Sequence, residues 1–512
     1  MISIHKCIPE GYTPRESQTE YFKFVEKNWN NLDVLCNVAP TGAGKSLMNL
    51  GTSKWREQFS ESTAILAPRK FLQDQYVSEF PWLTTLKGAD NYICNDCLIS
   101  GQSCRAKKRL TTKYCAPDQC PYLIAKAAAA ASKTTLFNFH SYFVNEMFKS
   151  NMIIDEGHGT VDLLYSLFSK KIWKCEFDYP DDIEITSEGV ALFLSGIIKN
   201  MKDKLAMFMG NNVAKELLDS ITDEIDQIET LQGALSNNGS DFIVRKKKEK
   251  YFGETKHLRN SEQEYIYVKA LRVDKIAENV LWPKNTVKKI IFSSATLSKI
   301  EMDLLGLGSK RIMFHEGESP IPWESRMLVI DPVANMTFAH RKESIPKIAK
   351  KIIDIAKQFP DQKGVVHCTY DVAKQLKVLL GEGKRYLFHD SRNKEEVLKY
   401  FMACGGNYIL VASGMAEGID LKDDLARFQI IVMLQFPSLV DDVMEWIAKN
   451  NPMLYKWFAI RNLIQQTGRI VRGKDDYGIT YFIGEELTKG FFNSTEHLWP
   501  GWFKKSMVWK KG

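Results

Sequence analysis

No apolar run in this 512-residue chain approaches the roughly 20 residues that carry a helix across a bilayer. The opening Met1-Ile-Ser-Ile-His-Lys6 lacks the charged-then-apolar layout of a secretory signal. There is no internal repeat, no long low-complexity segment and no nuclease motif; Ala127–Ala131 is simply a helix-favouring run. Cysteine is sparse outside one short segment. Cys7, Cys36, Cys175, Cys368 and Cys404 stand singly, mostly in apolar settings, which is how reduced, buried thiols look rather than a disulfide framework. Membrane, secreted and repeat architectures are thereby set aside. The expectation is a cytoplasmic protein, with the nucleoid or a host cytoplasm included, acting without a membrane.

What is present is ordinary in bulk: 44% hydrophobic and 26% charged residues, over a length that divides into about three or four domains. The net charge of +7 favours a polyanionic partner only weakly. The order of elements says more. Asp33–Val38 and Ser62–Ala67 read as short apolar strands, followed by helices over Ser46–Phe59 and Lys70–Glu79. Met152–Ile154 and Lys289–Phe292 read as further strands, ending at Asp155 and Ser293. From Ser325 a second such unit begins, with strands at Met327–Ile330, Gly364–His367, Tyr408–Ala412 and Gln429–Leu434 and a helix across Ile345–Phe359. Strands alternating with helices predict parallel α/β sheets whose functional loops lie at strand C-termini. Between Cys175 and Tyr265 the rhythm breaks. Helical periodicity around Glu188–Lys204 and Val213–Leu235, the loop Asn237–Ser240 and the basic run Arg245–Lys250 predict a largely helical insertion.

Three segments carry chemistry. Ala39-Pro-Thr-Gly-Ala-Gly-Lys-Ser46 follows a strand and precedes a helix. Around Thr41, Gly42, Ala43 and Gly44 the backbone N–H groups can turn toward phosphate oxygens, Lys45 neutralises β/γ charge, and the Ser46 hydroxyl can ligate magnesium. Asp155-Glu156 at the end of a strand would more often be a solvated turn. Downstream of a phosphate loop, Asp155 can hold magnesium and Glu156 can polarise an attacking water. In the second unit, Gln465-Gln-Thr-Gly-Arg469-Ile-Val-Arg472 sets two arginines three apart. Read as a helix, the segment places both on one face within reach of a γ-phosphate across a cleft.

Five cysteines, Cys94, Cys97, Cys104, Cys115 and Cys120, fall between the first two of these segments. Four thiolates without histidine suit zinc or an iron–sulfur cluster, and spacing alone does not decide, although a zinc ribbon prefers two CxxC knuckles and only Cys94-x-x-Cys97 has that form. The basic residues among them (Arg105, Lys107, Lys108, Arg109, Lys113) fit either a solvated face or a phosphate grip.

In this order the motifs resemble a superfamily 2 helicase. Ala39–Ser46 is similar to motif I, with alanine in the first position as is common in helicases, Asp155–His158 to the DEAH form of motif II and Ser293–Leu297 to motif III. Glu417–Asp420 is similar to motif V and Gln465–Arg472 to motif VI. The cysteines, with Lys87–Cys94 before them and Cys120–Tyr122, Ala125-Lys126 and Leu136–Asn138 after, resemble the XPD/DinG iron–sulfur branch. That resemblance implies two RecA-like motor domains, the first carrying an iron–sulfur insertion and a mostly helical, Arch-like insertion. It divides the chain into motor domain 1 at 1–93, 121–175 and 266–320, a cluster domain at 94–120, the Arch-like insertion at 176–265 and motor domain 2 at 321–512. It implies ATP as substrate, Mg2+, and a [4Fe-4S] cluster on Cys94, Cys104, Cys115 and Cys120, with Cys97 left out. His158, Gln465, Arg469 and Arg472 join Lys45, Asp155 and Glu156 as catalytic residues, Gly418 and Asp420 join the nucleotide site, and Gln18 resembles an adenine-sensing glutamine. The implied activity is 5′ to 3′ DNA unwinding by a monomer on single-stranded and forked duplex DNA, in repair, replication or recombination. A translocase that remodels nucleoprotein and a cluster-based redox sensor are the alternatives. Two departures stand out: Gly157 replaces the usual alanine of motif II, and Tyr481–Glu486 lacks the usual Asp-x-Arg.

Overall fold

The structure is a computed structural model and describes residues 2–68, 70–95, 98, 100, 101, 104, 117–209, 215–253, 258–383, 385–415, 421 and 423–510. In chain order the strands are β1 Val34–Val38, β2 Thr63–Ala67, β3 Thr84–Leu86, β4 Thr134–Asn138, β5 Asn151–Asp155, β6 Ser169–Trp173, β7 Phe242–Lys250, β8 Glu262–Ala270 and β9 Lys289–Ser294. They continue with β10 Ile312–Glu316, β11 Leu328–Ala334, β12 Gly364–Cys368, β13 Tyr386–Phe388, β14 Ile409–Ser413, β15 Phe428–Ile431, β16 Ile479–Gly484 and β17 Met507–Trp509.

Two parallel seven-stranded sheets organise the molecule, in the orders β10-β1-β9-β5-β2-β4-β3 and β13-β14-β12-β15-β16-β11-β17. The central strands are unbroken apolar runs because both faces are covered. Val34, Cys36, Ala64, Leu66 and Phe137 enter one core of the first sheet, while Leu35, Ile65, Leu136, Ile153 and Ile291 enter the opposite one. The second sheet alternates likewise, with Val366, Val411 and Ile430 on one side and Val365 and Leu410 on the other. The expected pair of α/β units is therefore present, and the last strand of the first sheet and the first strand of the second lie on either side of residue 320.

The insertion is mostly helical, as expected, but not entirely. Helices Ser187–Met209 and Lys215–Asn238 form a hairpin. Ser187 Oγ, at the start of one, donates to Gly239 O just past the end of the other (2.7 Å), and Lys202 pairs with Glu229 between them. Buried Val190, Leu194, Ile228, Leu231 and Leu235 recur at helical spacing along the seam. Beside them β6, β8 and β7 form an antiparallel sheet. The Arg245–Lys250 run is thus half of a strand, and Asn237 and Asn238 are helical rather than loop. Consecutive cations conceal the two-residue period that a half-buried strand otherwise displays. The sheet begins before residue 176 and continues past residue 265. Among the described residues no helix is long and apolar enough to cross a membrane.

Candidate nucleotide site between the two sheets

The phosphate loop bridges the C-terminal end of β1 and the helix Lys45–Glu57. Gly42 (φ +81°) and Gly44 (φ +76°) both take left-handed backbone, which glycine adopts without strain. A Cβ on Gly44 would lie 2.3 Å from Gln18 Nε2. Gln18 is buried; its Nε2 donates to Gly44 O (3.1 Å) and its Oε1 accepts from Arg15 N (2.8 Å). Arg15, which carried no motif, donates through Nη1 to Gly42 O (2.6 Å). Gln18 is therefore bonded directly to the loop's backbone.

At the end of β5, Asp155 is buried and Glu156 follows in left-handed backbone (φ +47°), an uncommon geometry for a non-glycine residue. Tyr76, fully buried, donates to Asp155 Oδ2 (3.1 Å), accepts from Asn49 (3.0 Å) and is also hydrogen-bonded to Ser46. Ser46 and Asp155 thus converge on one hydroxyl, and their hard oxygens suit magnesium. Burial pushes the Asp155 carboxyl upward, with the Glu156 charge adding and Lys45 opposing. Burial would also raise Glu156, but Lys45 at 3.8 Å, His158 at 3.3 Å and Arg472 outweigh it and hold that carboxyl well below the usual range. Gly157 has a local reason: a Cβ there would press to 3.0 Å against Phe292.

A polar relay leads from here to the second sheet's domain. His158 Nδ1 meets Ser294 Oγ (2.8 Å), Thr296 N donates to the same oxygen (3.3 Å), and Gln465 Nε2 donates to Thr296 Oγ1 (2.8 Å). Gln465 rides on the helix Pro452–Thr467. That helix ends at Thr467, where Gly468 closes it, so Arg469 and Arg472 occupy the following turn and loop instead of one helical face. The expectation of a shared helix face is corrected. Arg472 still reaches the site: its carbonyl would lie 3.0 Å from a Cβ on Gly42, and Gly468 packs toward Thr41. The loop is pinned by Asp476, which accepts from Arg472 N (3.1 Å) and from Arg427 (2.7 Å). Gly418 and Asp420 lie outside the described residues.

Arg461, one turn before Gln465, escaped the sequence reading. It is buried and donates to His158 O (2.8 Å), Glu301 Oε1 (2.7 Å) and Asp162 Oδ2 (2.5 Å), tying the second domain to motif II. A lone arginine among Trp457, Phe458, Ile460, Leu463 and Ile464 was the available signal, because a buried cation must be paired. The Glu301 pair is nearly dry and Asp162 is half exposed, so Glu301 dominates. Arg461→Met should cost about 3–5 kcal/mol in urea unfolding. Glu301→Gln in the same chain should recover part of that loss, and strict additivity would show that the pair is not coupled.

Of the cysteines, Cys94 and Cys120 are buried and Cys104 is half-buried. Asn95 Nδ2 donates to Gln119 O (3.1 Å), bringing the ends of the segment together next to its two outer thiols. Cys97 and Cys115 lie outside the described residues, and among the described residues no three His, Cys, Asp or Glu side chains converge as a metal site. Soft thiol donors, two of them buried, suit an iron–sulfur cluster in chemistry.

Two parallel sheets meeting over a phosphate loop define a two-domain, RecA-like α/β fold. Residues 354–506 match the family of helicase C-terminal domains. The chain as a whole has the fold of the XPD-type superfamily 2 helicases. It is similar to an XPD helicase structure (TM-score 0.61, 14% identity, covering 97% of this chain and 100% of that one). It is also similar to an apo XPD structure (0.57, 15%, 96% and 100%) and to S. tokodaii Xpd4 (0.57, 13%, 97% and 100%). A search of curated proteins finds no match.

Proposed function

We propose that this chain is an ATP-driven translocase on single-stranded DNA that unwinds duplex DNA with 5′ to 3′ polarity, acting as a monomer. The observation that carries the reading is the relay from Glu156 through His158, Ser294 and Thr296 to Gln465, which makes the nucleotide site a property of both domains. A site shared this way can convert closure on ATP and opening after hydrolysis into relative domain motion.

In that mechanism Gln18 and Arg15 hold the phosphate loop open to the nucleotide. Lys45 neutralises phosphate charge, Ser46 and Asp155 would hold magnesium, and Glu156 orients and deprotonates the attacking water. Magnesium bound there would supply charge neutralisation to the phosphates. Arg469 and Arg472 approach from the second domain to stabilise charge on the transferred group, and His158 and Gln465 transmit its presence. Glu156 is held ionised by Lys45, His158 and Arg472, as a base must be.

Cys94, Cys104, Cys115 and Cys120 would hold a [4Fe-4S] cluster, which would serve as a rigid wedge. Anaerobically purified protein should carry about four irons with matching sulfide and broad visible absorbance, as expected of such a cluster; stoichiometric zinc would overturn the assignment. Cys120→Ala should lose the absorbance and duplex unwinding before ATP turnover. The overall reading is tested by ATP turnover with and without single-stranded DNA and by strand displacement on a fork with a 5′ tail. Displacement that requires ATP and that tail supports it. DNA-stimulated turnover with no displacement would leave a translocase that remodels nucleoprotein, and no stimulation would refute the motor.

A further inference from the structure

The insertion's antiparallel sheet carries a face that the nucleotide site does not use. Pairing sets Lys171 and Arg245 opposite Tyr267, Trp173 and Lys247 opposite Tyr265, and Ile243 opposite Lys269, so these side chains share one side of the sheet. Cations and aromatic rings interleave there: Lys247 lies over the Tyr267 ring at 5.1 Å and Lys171 over Tyr265 at 5.0 Å. Cations between aromatic rings are the composition of surfaces that grip single strands.

Two carboxylates from the other motor domain sit on this face. Asp442 is buried and takes Arg245 through Oδ1 (2.9 Å) and Lys247 through Oδ2 (2.6 Å). Asp441 takes Lys269 and the Tyr267 hydroxyl (3.3 Å) through Oδ2. Its Oδ1 caps the helix Asp442–Asn450 by accepting from Val443 N and Met444 N. A carboxylate offers two acceptor oxygens to a pair of cations as the two non-bridging oxygens of a phosphodiester do. The cations belong to an insertion that leaves and rejoins the first domain, whereas the aspartates belong to the second. A motion that carries the second domain away from the insertion would separate them.

Resting on the reading of the chain as a single-strand motor, we infer that this sheet face is a phosphate-backbone site for single-stranded DNA, closed in the present conformation by Asp441 and Asp442. When the domains separate, the strand's phosphates replace the two carboxylates on Arg245, Lys247 and Lys269. The insertion then holds the strand while the second domain advances.

The test is binding of a fluorescent oligo(dT) to the full chain across a salt series, followed by anisotropy. Arg245→Gln with Lys247→Gln should weaken binding and make the log–log salt slope shallower by about 0.7, the one phosphate that the pair shares. Asp441→Asn with Asp442→Asn, which keeps a competent helix cap, should tighten binding by about three- to tenfold at low salt, consistent with cations freed for phosphate. Wild-type affinity and slope in both double variants would overturn the inference, leaving the contact purely structural. If the aspartate variant melts below the assay temperature, the arginine–lysine variant alone decides by its slope. A wild-type chain that fails to bind oligo(dT) would instead refute the single-strand motor itself.

Discussion

Lys45→Ala should lower DNA-stimulated ATP turnover by about 10²–10³-fold, the cost of removing one preorganised charge from a phosphoryl-transfer site. The Lys45 ammonium stands 3.8 Å from Glu156 Oε1 and donates to Ala39 O at 3.5 Å, with no other side-chain partner holding the fold through it among the described residues. Its loss therefore leaves the fold intact, and the melting temperature should stay within a few degrees of wild type. Binding of single-stranded DNA should persist, because the strand surface proposed above lies on the insertion's sheet and not on the phosphate loop. Glu156 loses the largest of the charges that oppose its burial, so its carboxyl should move upward, and any residual turnover should require a higher pH than in the wild type. Steady-state turnover of the purified variant over a pH series checks both points. Wild-type turnover would remove the phosphate-loop assignment altogether.

The motor sheets were legible because buried parallel strands are written as short, continuous apolar runs that stop at a polar residue. Val34–Val38 stops at the glycine loop, Asn151–Asp155 at its own acid, and Lys289–Ser294 at two serines. The strands that went unread are short or carry polar residues: Thr84–Leu86 has two threonines in three residues, Ile312–Glu316 ends in His-Glu, and Met507–Trp509 is three residues at a sheet edge. The basic strand Phe242–Lys250 went unread for a different reason, since its two-residue alternation is overwritten by charge needed on both faces. Lys246 pairs with Glu264 on one side and Lys247 with Asp442 on the other.

For the site, motif residues were legible one at a time and their contacts were not. Tyr76 gathers Ser46 and Asp155 from 79 residues before Asp155, a separation no local pattern reveals. Arg461 and Glu301 lie 160 residues apart and meet only because two domains close on each other. The helical reading of Gln465–Arg472 failed at Gly468, where a glycine after a periodic run marks a helix end. Taken at that weight, it would have set Arg469 and Arg472 on a loop, where a side chain can move with nucleotide state more readily than on a rigid helix.

That loop is why Arg472 should be the most costly single loss in the second domain. Its backbone is fixed from both ends of the contact: Asp476 accepts from its N–H, and its carbonyl lies close over Gly42. Its positive charge is one of those that hold Glu156 down. Arg472→Ala removes the charge while leaving both backbone anchors, so ATP should still bind and KM should change little. Turnover should fall by about 10³-fold or more, as when a trans-acting arginine is withdrawn from a phosphoryl-transfer site. Arg472→Lys should recover only a minor part, because an ammonium cannot reproduce the guanidinium's forked donors. A variant that keeps turnover within about threefold of wild type would show that the second domain closes the site without entering its chemistry. A large rise in KM with unchanged turnover would assign Arg472 to nucleotide binding instead.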